Sequence, residues 1–322
     1  LPPSMRQPGA DTVLVRHADV GVKSGKVQAE MERRLRDNIE AIVRDRGIDA
    51  TVERRWSRIL LHADPDEIDA ATDAAADTFG VRSASPAAIV PPEKGPIVDA
   101  LAQSADANAD AVGDTFAVRA RRAGNADAHP FTSEDLEREG GAAVFDALED
   151  PEVDLTDPDT TFSVECRKDE AFVYTEKREG PGGLPLGSQA KVVALVSGGI
   201  DSPVAAWEVM KRGAPIVPVY LELGDYGGSD HEARAMETVR RLADYAPNFD
   251  MNVRKVPAGD VMNLLAKEVG AARMLVYRRF MYRVAEHVAR ETDATGIVTG
   301  EAIGQKSSQT ARNLGATSQA TS

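Results

Sequence analysis

Between residues 191 and 223 the chain reads KVVALVSGGIDSPVAAWEVMKRGAPIVPVYLEL. The apolar run 192–196 passes into Ser197-Gly198-Gly199-Ile200-Asp201-Ser202, then a helical pattern, then a second apolar run. Strand, glycine-rich turn, helix and strand within about thirty residues make a βαβ unit. That unit commits this part of the chain to a parallel sheet with a crossover helix. Pro203 falls in the first helical turn, where its missing N–H costs nothing, and Gly213 ends the helix. Gly198 and Gly199 let the backbone approach a ligand and are expected at positive φ. The helix start presents unpaired N–H groups at the positive end of the dipole, and Ser197 and Ser202 add hydroxyls. The turn is therefore an anion cradle of a size for phosphate. Asp201 would repel a phosphate unless it holds a Mg2+ that bridges phosphate oxygens, or fixes the loop through hydrogen bonds. The bland alternative is a plain turn with a Ser/Asp helix cap.

Two further blocks precede this one. Residues 10–62 read as strand, loop, helix, strand. The helical stripe Val27, Met31, Leu35, Ile39, Ile42, Val43 has Gly47 as its C-cap, and DATVERRWSRILLHA returns as one strand. Residues 64–178 alternate helix and strand. An acidic helix ends at Gly80, VRSASPAAIV is a strand, and GPIVDALAQSADANA is a helix. DTFAVRARRAG alternates as a strand, and TSEDLEREGGAAVFDALED is a helix with a Thr/Ser cap. TTFSVECRKDEAFVYTEKR is a pair of strands about a Lys-Asp turn. Residues 179–190, rich in Gly and Pro, form a linker or an ordered loop. The resulting division is 1–63, 64–178, a linker at 179–190, and 191–322.

Net charge is −14, and it is unevenly spread. Residues 64–114 carry eleven acids against two bases, whereas residues 254–322 carry ten bases against six acids. A polyanionic partner is therefore expected at the C-terminal part and at local arginine clusters. The acidity, with arginine favoured over lysine, also suits a very salty cytoplasm, and stability that peaked at low KCl would remove that reading. No apolar run approaches the ~20 residues of a membrane span, and no signal-peptide pattern is present. A cytoplasmic location without membrane contact is the expectation. One cysteine, Cys166, leaves no internal disulfide. His17, His62, His129, His231 and His287 have no metal-ligand spacing, so no metal is fixed by the protein alone.

The hexapeptide Ser-Gly-Gly-Ile-Asp-Ser after an apolar strand resembles the PP-loop of ATP pyrophosphatases, which cleave ATP between its α and β phosphates. It is neither a Walker A loop nor a dinucleotide-binding G-x-G-x-x-G. EKREGPGGLPLGSQAKVVALVSGGIDSPVAAW, RMLVYRRFMYRVAEHVAR and GIVTGEAIGQKSSQT follow in that order. Together they resemble the tRNA 4-thiouridine synthetase family, also called tRNA sulfurtransferase or ThiI. VRHADVGVKSGK is similar to that family's opening segment. The stretch from FAVRARRAGNADAHPF to FVYTEK is similar to its RNA-binding THUMP domain.

The resemblance implies an α/β chain. A C-terminal parallel-sheet PP-loop domain, of the adenine nucleotide alpha hydrolase-like class, follows α+β ferredoxin-like and THUMP domains. It implies adenylation by ATP of O4 of uridine 8 in tRNA, release of pyrophosphate, and displacement of AMP by sulfur. ATP and Mg2+ are the implied cofactors. The implied partners are tRNA and a sulfur donor, either a persulfide-carrying protein or sulfide, and a homodimer is compatible. The residues matching the family's nucleotide site are Leu195, Val196, Ser197, Gly198, Gly199, Asp201, Ser202, Tyr220, Leu221, Arg278, Gly300 and Gln309. Asp201 and Arg278 are the catalytic candidates. Lys23, Lys26, Arg119, Arg121, Lys177 and Arg178 are candidates for RNA phosphates. Read without the family, Arg278, Arg279 and Arg283 would be a solvated helix face, Tyr220 a core aromatic, and Gln309 a surface amide.

The sequence departs from the family at sulfur delivery. Members that use a persulfide carry a cysteine downstream of the GEAIGQ segment, and no cysteine follows Cys166 here. Cys166, on an expected strand, reads as a small buried residue rather than a sulfur carrier. Truncation after Ser322, or a thiol supplied from elsewhere, accounts for the gap. Sulfur supply to the thiazole of thiamine is a second implied role. The rival readings are another PP-loop tRNA-modifying enzyme or amidoligase, and a non-catalytic RNA-binding protein with a vestigial nucleotide site.

Overall fold

The computed structural model describes residues 5, 7–18, 25–55, 58–123, 129–270, 272–301, 304 and 310–321. The chain divides into two compact units, residues 1–21 with 43–182 and residues 22–42 with 183–322.

In the first unit β1 (Thr12–His17) is followed in the chain by α1 (Gly25–Asp45), β2 (Ala50–Arg55), β3 (Arg58–Ala63), α2 (Ile68–Ala76) and β4 (Val81–Val90). α1 straddles the division, with its residues to 42 counted in the second unit. The strands lie in the order β2-β3-β1-β4, each antiparallel to its neighbour. This is the βαββαβ plan of a ferredoxin-like sheet. The stretch expected as one strand over 50–63 is a hairpin, with Arg55 opposite Arg58. Both arms alternate or run apolar, so the pattern alone does not show the reversal. The boundary expected at 63/64 falls between β3 and α2, inside this plan, because β4 pairs with β1 over residues 81–87.

The chain continues as α3 (Lys94–Ala107), β5 (Thr115–Arg122), α4 (Ser133–Ala147), β6 (Glu152–Val153), β7 (Thr160–Cys166), β8 (Ala171–Tyr174) and β9 (Arg178–Glu179). The last three residues of β4 pair with β8, and the sheet runs on through β7, β5 and β6 to nine strands. β7 and β8 form the expected hairpin, with Cys166 opposite Ala171. Thr132 caps α4 with a capping box: its hydroxyl accepts from the Asp135 N–H at 3.0 Å, and the Asp135 carboxylate accepts the Thr132 N–H at 2.9 Å. Ile97, Leu101, Phe116, Leu136, Phe162 and Val164 form the core between α3, α4 and the sheet.

The segment 179–190 is ordered. Gly180 and Gly182 N–H groups donate to Arg82 and Val81 carbonyls in the first unit. Leu184, Gly187 and Gln189 donate to Lys211 and Gly213 in the second.

The second unit contains β10 (Val192–Leu195), α5 (Asp201–Lys211), β11 (Ile216–Glu222), α6 (Ser229–Ala243), β12 (Arg254–Pro257), α7 (Gly259–Glu268), α8 (Arg273–Thr292), β13 (Ile297–Val298) and α9 (Ala311–Ser318). Its four strands are all parallel in the order β12-β11-β10-β13. Successive residues face opposite sides. Val193, Leu195, Val219 and Leu221 pack with Met262, Tyr277, Tyr282 and Val288 of α7 and α8. Val196 and Tyr220 pack with Ala235 and Val239 of α6 on the other face. Burial on both faces explains why β10 and β11 read as unbroken apolar runs. β11 lies on one side of β10 and β13 on the other, so the sheet changes winding direction between β10 and β13. Ligands of open parallel sheets bind beyond the strand carboxyl ends at such a point.

Candidate nucleotide site

The loop 197–202 leaves β10 at that crevice. Ser202, 6% exposed, closes it. The Ser197 N–H donates to Ser202 Oγ at 2.9 Å, the two hydroxyls lie 3.1 Å apart, and the Gly199 N–H reaches Ser197 Oγ at 3.3 Å. The Ser202 hydroxyl, expected as a free donor, is thus spent on holding the loop shape.

Gly198 and Gly199 do not have the expected positive φ. Gly198 is required by close approach instead. A Cβ there would lie 2.6 Å from the His231 carbonyl oxygen and 2.7 Å from its Cα, in the first turn of α6. A Cβ on Gly199 would meet nothing nearer than Ser197 Oγ at 3.5 Å. Ile200 is the N-cap of α5, and no side chain caps the helix. The N–H groups that begin α5 therefore face the loop without a side-chain acceptor. The Asp201 carboxylate, at the first helical position, has no hydrogen-bond or ion-pair partner among the described residues. That leaves it available to a cation, although no cluster of three or more metal-ligating side chains occurs among the described residues.

The other wall comes from the end of β13. A Cβ on Gly300 would overlap the Asp201 carbonyl and the Ser202 nitrogen. The chain after β13 therefore rests directly on the first turn of α5, and only glycine permits it. The next residue, Glu301, pairs with Arg278 of α8, Oε2 to Nη1 at 3.4 Å, and both side chains are largely buried at 13% and 14% exposed. The Tyr282 hydroxyl donates to Glu301 Oε1 at 2.8 Å. Burial, and then the bond to Glu301, push the Tyr282 phenol up from its ordinary value. Arg278 is thereby separated from Arg279 and Arg283, which are exposed on the same helix.

Leu195, Val196, Tyr220 and Leu221 are buried at the ends of β10 and β11. Tyr220 is a core aromatic as well as a residue at the crevice. Burial, then Glu232 and Glu222, raise its phenol. Gln309 and Lys23 lie outside the described residues. The structure thus brings eleven of the twelve matched positions to one end of the sheet. Glu301, Tyr282 and His231 were not singled out from sequence. The available signal was an acid directly after the glycine that ends a strand, and an Arg278–Tyr282 pair at helical i,i+4 spacing.

The candidate RNA contacts are dispersed. Arg119 and Arg121 are exposed on one face of β5, and Arg119 donates to the Leu155 carbonyl. Lys26 is exposed in the first turn of α1. Lys177 pairs with Glu179 at 2.8 Å. Arg178 is held by Asp69, Asp73 and Glu176 at 2.7–2.8 Å. Its position is fixed by carboxylates, which compete with any phosphate. Cys166 is fully buried, and burial pushes its thiol up.

Three family models match the chain. The ThiI ferredoxin-like domain covers residues 12–85, the THUMP domain 97–176, and the thiamine biosynthesis protein (ThiI) model 187–322. A protein of Halobacterium salinarum named probable tRNA sulfurtransferase is 60% identical over 98% of this chain and 80% of its own length. Its namesake in Methanosarcina acetivorans is 40% identical over 94% and 74%. Among solved structures, a 4-thiouridine synthetase in complex with RNA and bound ATP superposes with a TM-score of 0.83 at 29% identity. That match covers 97% of this chain and 78% of the other. From the ferredoxin-like sheet to the loop at the end of β10, the chain belongs to the ThiI family of tRNA sulfurtransferases.

Proposed function

We propose that the protein transfers sulfur to uridine 8 of tRNA, giving 4-thiouridine, in an ATP-dependent reaction. The observation that carries the reading is the arrangement around loop 197–202. An uncapped helix start and a backbone held open by Ser202 lie on one side of the crevice. Gly300 and the Arg278–Glu301 pair lie on the other.

In the first step O4 of the uracil attacks the α phosphorus of ATP, the bond to the bridging oxygen breaks, and the N3 proton passes to solvent, to be regained in the thiouracil. The electron pair leaves with pyrophosphate. A carbonyl oxygen is a poor leaving group and an adenylate a good one, so C4 becomes open to sulfur. Hydrosulfide then adds at C4 and AMP departs with the former O4; a persulfide would instead leave a disulfide between C4 and the donor, which a second thiol must cleave, forming a disulfide with the donor sulfur. The N–H groups of the loop and of the α5 start hold the β and γ phosphates. The Arg278 guanidinium offsets charge on the phosphate in the transition state. Asp201 suits a Mg2+ that arrives with the triphosphate, which would neutralise the phosphate oxygens. Arg119, Arg121, Lys26 and Lys23 are assigned to RNA phosphates, with Lys177 and Arg178 the weaker members because of their carboxylate partners. No described helix is long and apolar enough to cross a membrane, in keeping with action on tRNA in the cytoplasm. Cys166 is fully buried and is not assigned the sulfur; the proposed donor is a persulfide-carrying protein or sulfide. The thiazole role rests on the description of the family model alone.

The test is incubation of the full-length protein with unmodified tRNA, ATP, Mg2+ and sulfide, followed by nucleoside analysis. The expected result is 4-thiouridine with one AMP and one pyrophosphate per thiouridine. Binding of tRNA with neither pyrophosphate nor thiouridine would favour the non-catalytic reading. A different modified product would favour another PP-loop enzyme.

A further inference from the structure

The sequence motifs left Glu301 without a role, yet it is the most heavily engaged carboxylate at the crevice. Its two oxygens are divided between two partners on α8. Oε1 accepts from Tyr282 Oη at 2.8 Å, and Oε2 faces Arg278 Nη1 at 3.4 Å. Arg278 and Tyr282 are four residues apart, so they share one side of the helix. A single carboxylate can therefore bridge them. The side chains of Thr299 and Thr317 neighbour the Tyr282 phenol. Thr317, fully buried on α9, is anchored to the Asn313 and Leu314 carbonyls. Glu301 thus sits in a polar cluster that spans the end of β13, α8 and α9. Its backbone neighbour Gly300 lies against Asp201 and Ser202.

We infer that Glu301 is a positioning residue for Arg278, fixing its guanidinium relative to the phosphate loop. Three properties support this over a merely structural pair. A largely buried carboxylate facing one nitrogen of the planar, rigid guanidinium restrains where that group sits. The carboxylate is itself held by the phenol of a tyrosine that is only 6% exposed, so it has little freedom. It is also joined through one peptide bond to the glycine that touches the loop, which couples the position of Arg278 to that of the cradle. A preorganised cation loses no reorganisation energy when charge develops on the phosphate. Arg279 and Arg283, on the same helix, are exposed: Arg279 donates to the Ala316 carbonyl at 2.6 Å and Arg283 pairs with Glu286 at 3.1 Å.

The inference rests on the adenylating function proposed above, and the experiment separates the two. ATP–pyrophosphate exchange is measured in the presence of tRNA for the full-length protein and for Glu301→Gln, Arg278→Lys and the double variant, with ATP affinity read in parallel. Removing a preorganised donor costs about 100-fold or more in turnover, so Arg278→Lys is expected to fall steeply. Glu301→Gln is expected to fall about 10-fold or more in turnover, with a smaller change in ATP affinity. The decisive reading is the double variant. If Glu301 acts through Arg278, Glu301→Gln in the Arg278→Lys background costs less than about threefold, because coupled residues are not additive. The same loss in both backgrounds, or a gain of activity in Glu301→Gln, overturns the inference while leaving the function standing. No exchange in the unaltered protein overturns the function itself. If Glu301→Gln does not fold, Tyr282→Phe serves. It leaves the charge pair intact but frees the carboxylate, and it should lower turnover by a smaller factor that again disappears in the Arg278→Lys background.

Discussion

Glu165 lies in the middle of the nine-stranded sheet of the first unit, and Glu301 lies at the carboxyl edge of the four-stranded sheet of the second. Both are buried carboxylates beside arginine. Glu165 is enclosed by Arg58 at 3.2 Å, Arg167 at 2.7 Å and Arg16 at 4.0 Å, and those arginines are only 12–16% exposed. Burial raises its pKa, but Arg58 and Arg167 outweigh burial and hold the carboxyl below its usual range. Arg16 is further tied to Ser85 and lies over the Tyr174 ring. The cluster knits β1, β3, β4, β7 and β8 together. Glu301 has one arginine and one phenol, and its neighbour on the chain touches the phosphate loop. The same pair of residue types is a structural tie in mid-sheet and part of a site at a strand end. What differs is the place in the topology, because only the strand ends at a change of winding direction open onto a crevice.

The sharpest way to break this comparison is to disturb each region and ask which one stops chemistry. Gly300→Ala forces a Cβ into the first turn of α5, so ATP–pyrophosphate exchange should fall about 100-fold or more, since small misplacements at a reacting centre cost that much. Gly141→Ala, in α4 of the first unit, where an added Cβ meets nothing within 4 Å, should stay within about threefold. Equal losses would show that exchange is sensitive to any added side chain rather than to this contact.

Glu165→Ala removes the buried carboxylate that three arginines share and should cost about 3–5 kcal/mol of stability, read by denaturant unfolding. Exchange per folded molecule should remain within about twofold, and a specific loss of exchange at full folding would erase the distinction. Linkage gives a further check. The Glu165 carboxyl titrates lower in the folded chain than in the unfolded one, so its contribution is fully present above the ordinary value of 4.5. That contribution is lost as pH falls through the lowered value. Unfolding midpoints of the unaltered chain and Glu165→Gln should therefore converge on acidification, and a constant gap would contradict the assignment. The smallest effect is expected far from both regions. Thr132→Ala removes the cap of α4 and should cost about 1 kcal/mol with no change in exchange.

Much of the second unit was legible in sequence because parallel strands buried on both faces leave unbroken apolar runs, and because the loop chemistry is concentrated in six residues. The hairpin over residues 50–63 was not legible, since no Gly, Pro or Asn marks its reversal between Arg55 and Arg58. The division at 63/64 followed an acidic composition shift, whereas the fold follows hydrogen bonds, and β4 joins β1 across it. At the site, the matched residues come together at one end of the sheet, but their tasks were not always visible in the sequence. Ser202 closes the loop, and Gly198 and Gly300 are glycines because backbone from α6 and α5 approaches them. Glu301 went unnoticed because its partners, Arg278 and Tyr282, lie about twenty residues earlier, and pairing across that distance is a property of the packed helix and strand.

The central claim is that loop 197–202 and the start of α5 hold the leaving diphosphate of ATP. A structure of the full-length protein with a non-hydrolysable ATP analogue and Mg2+ tests it most directly. The account predicts β and γ phosphate oxygens on the N–H groups of loop 197–202, the metal on Asp201, and the Arg278 guanidinium facing the α phosphate with Glu301 behind it. A triphosphate seated elsewhere, with this loop empty, would contradict it.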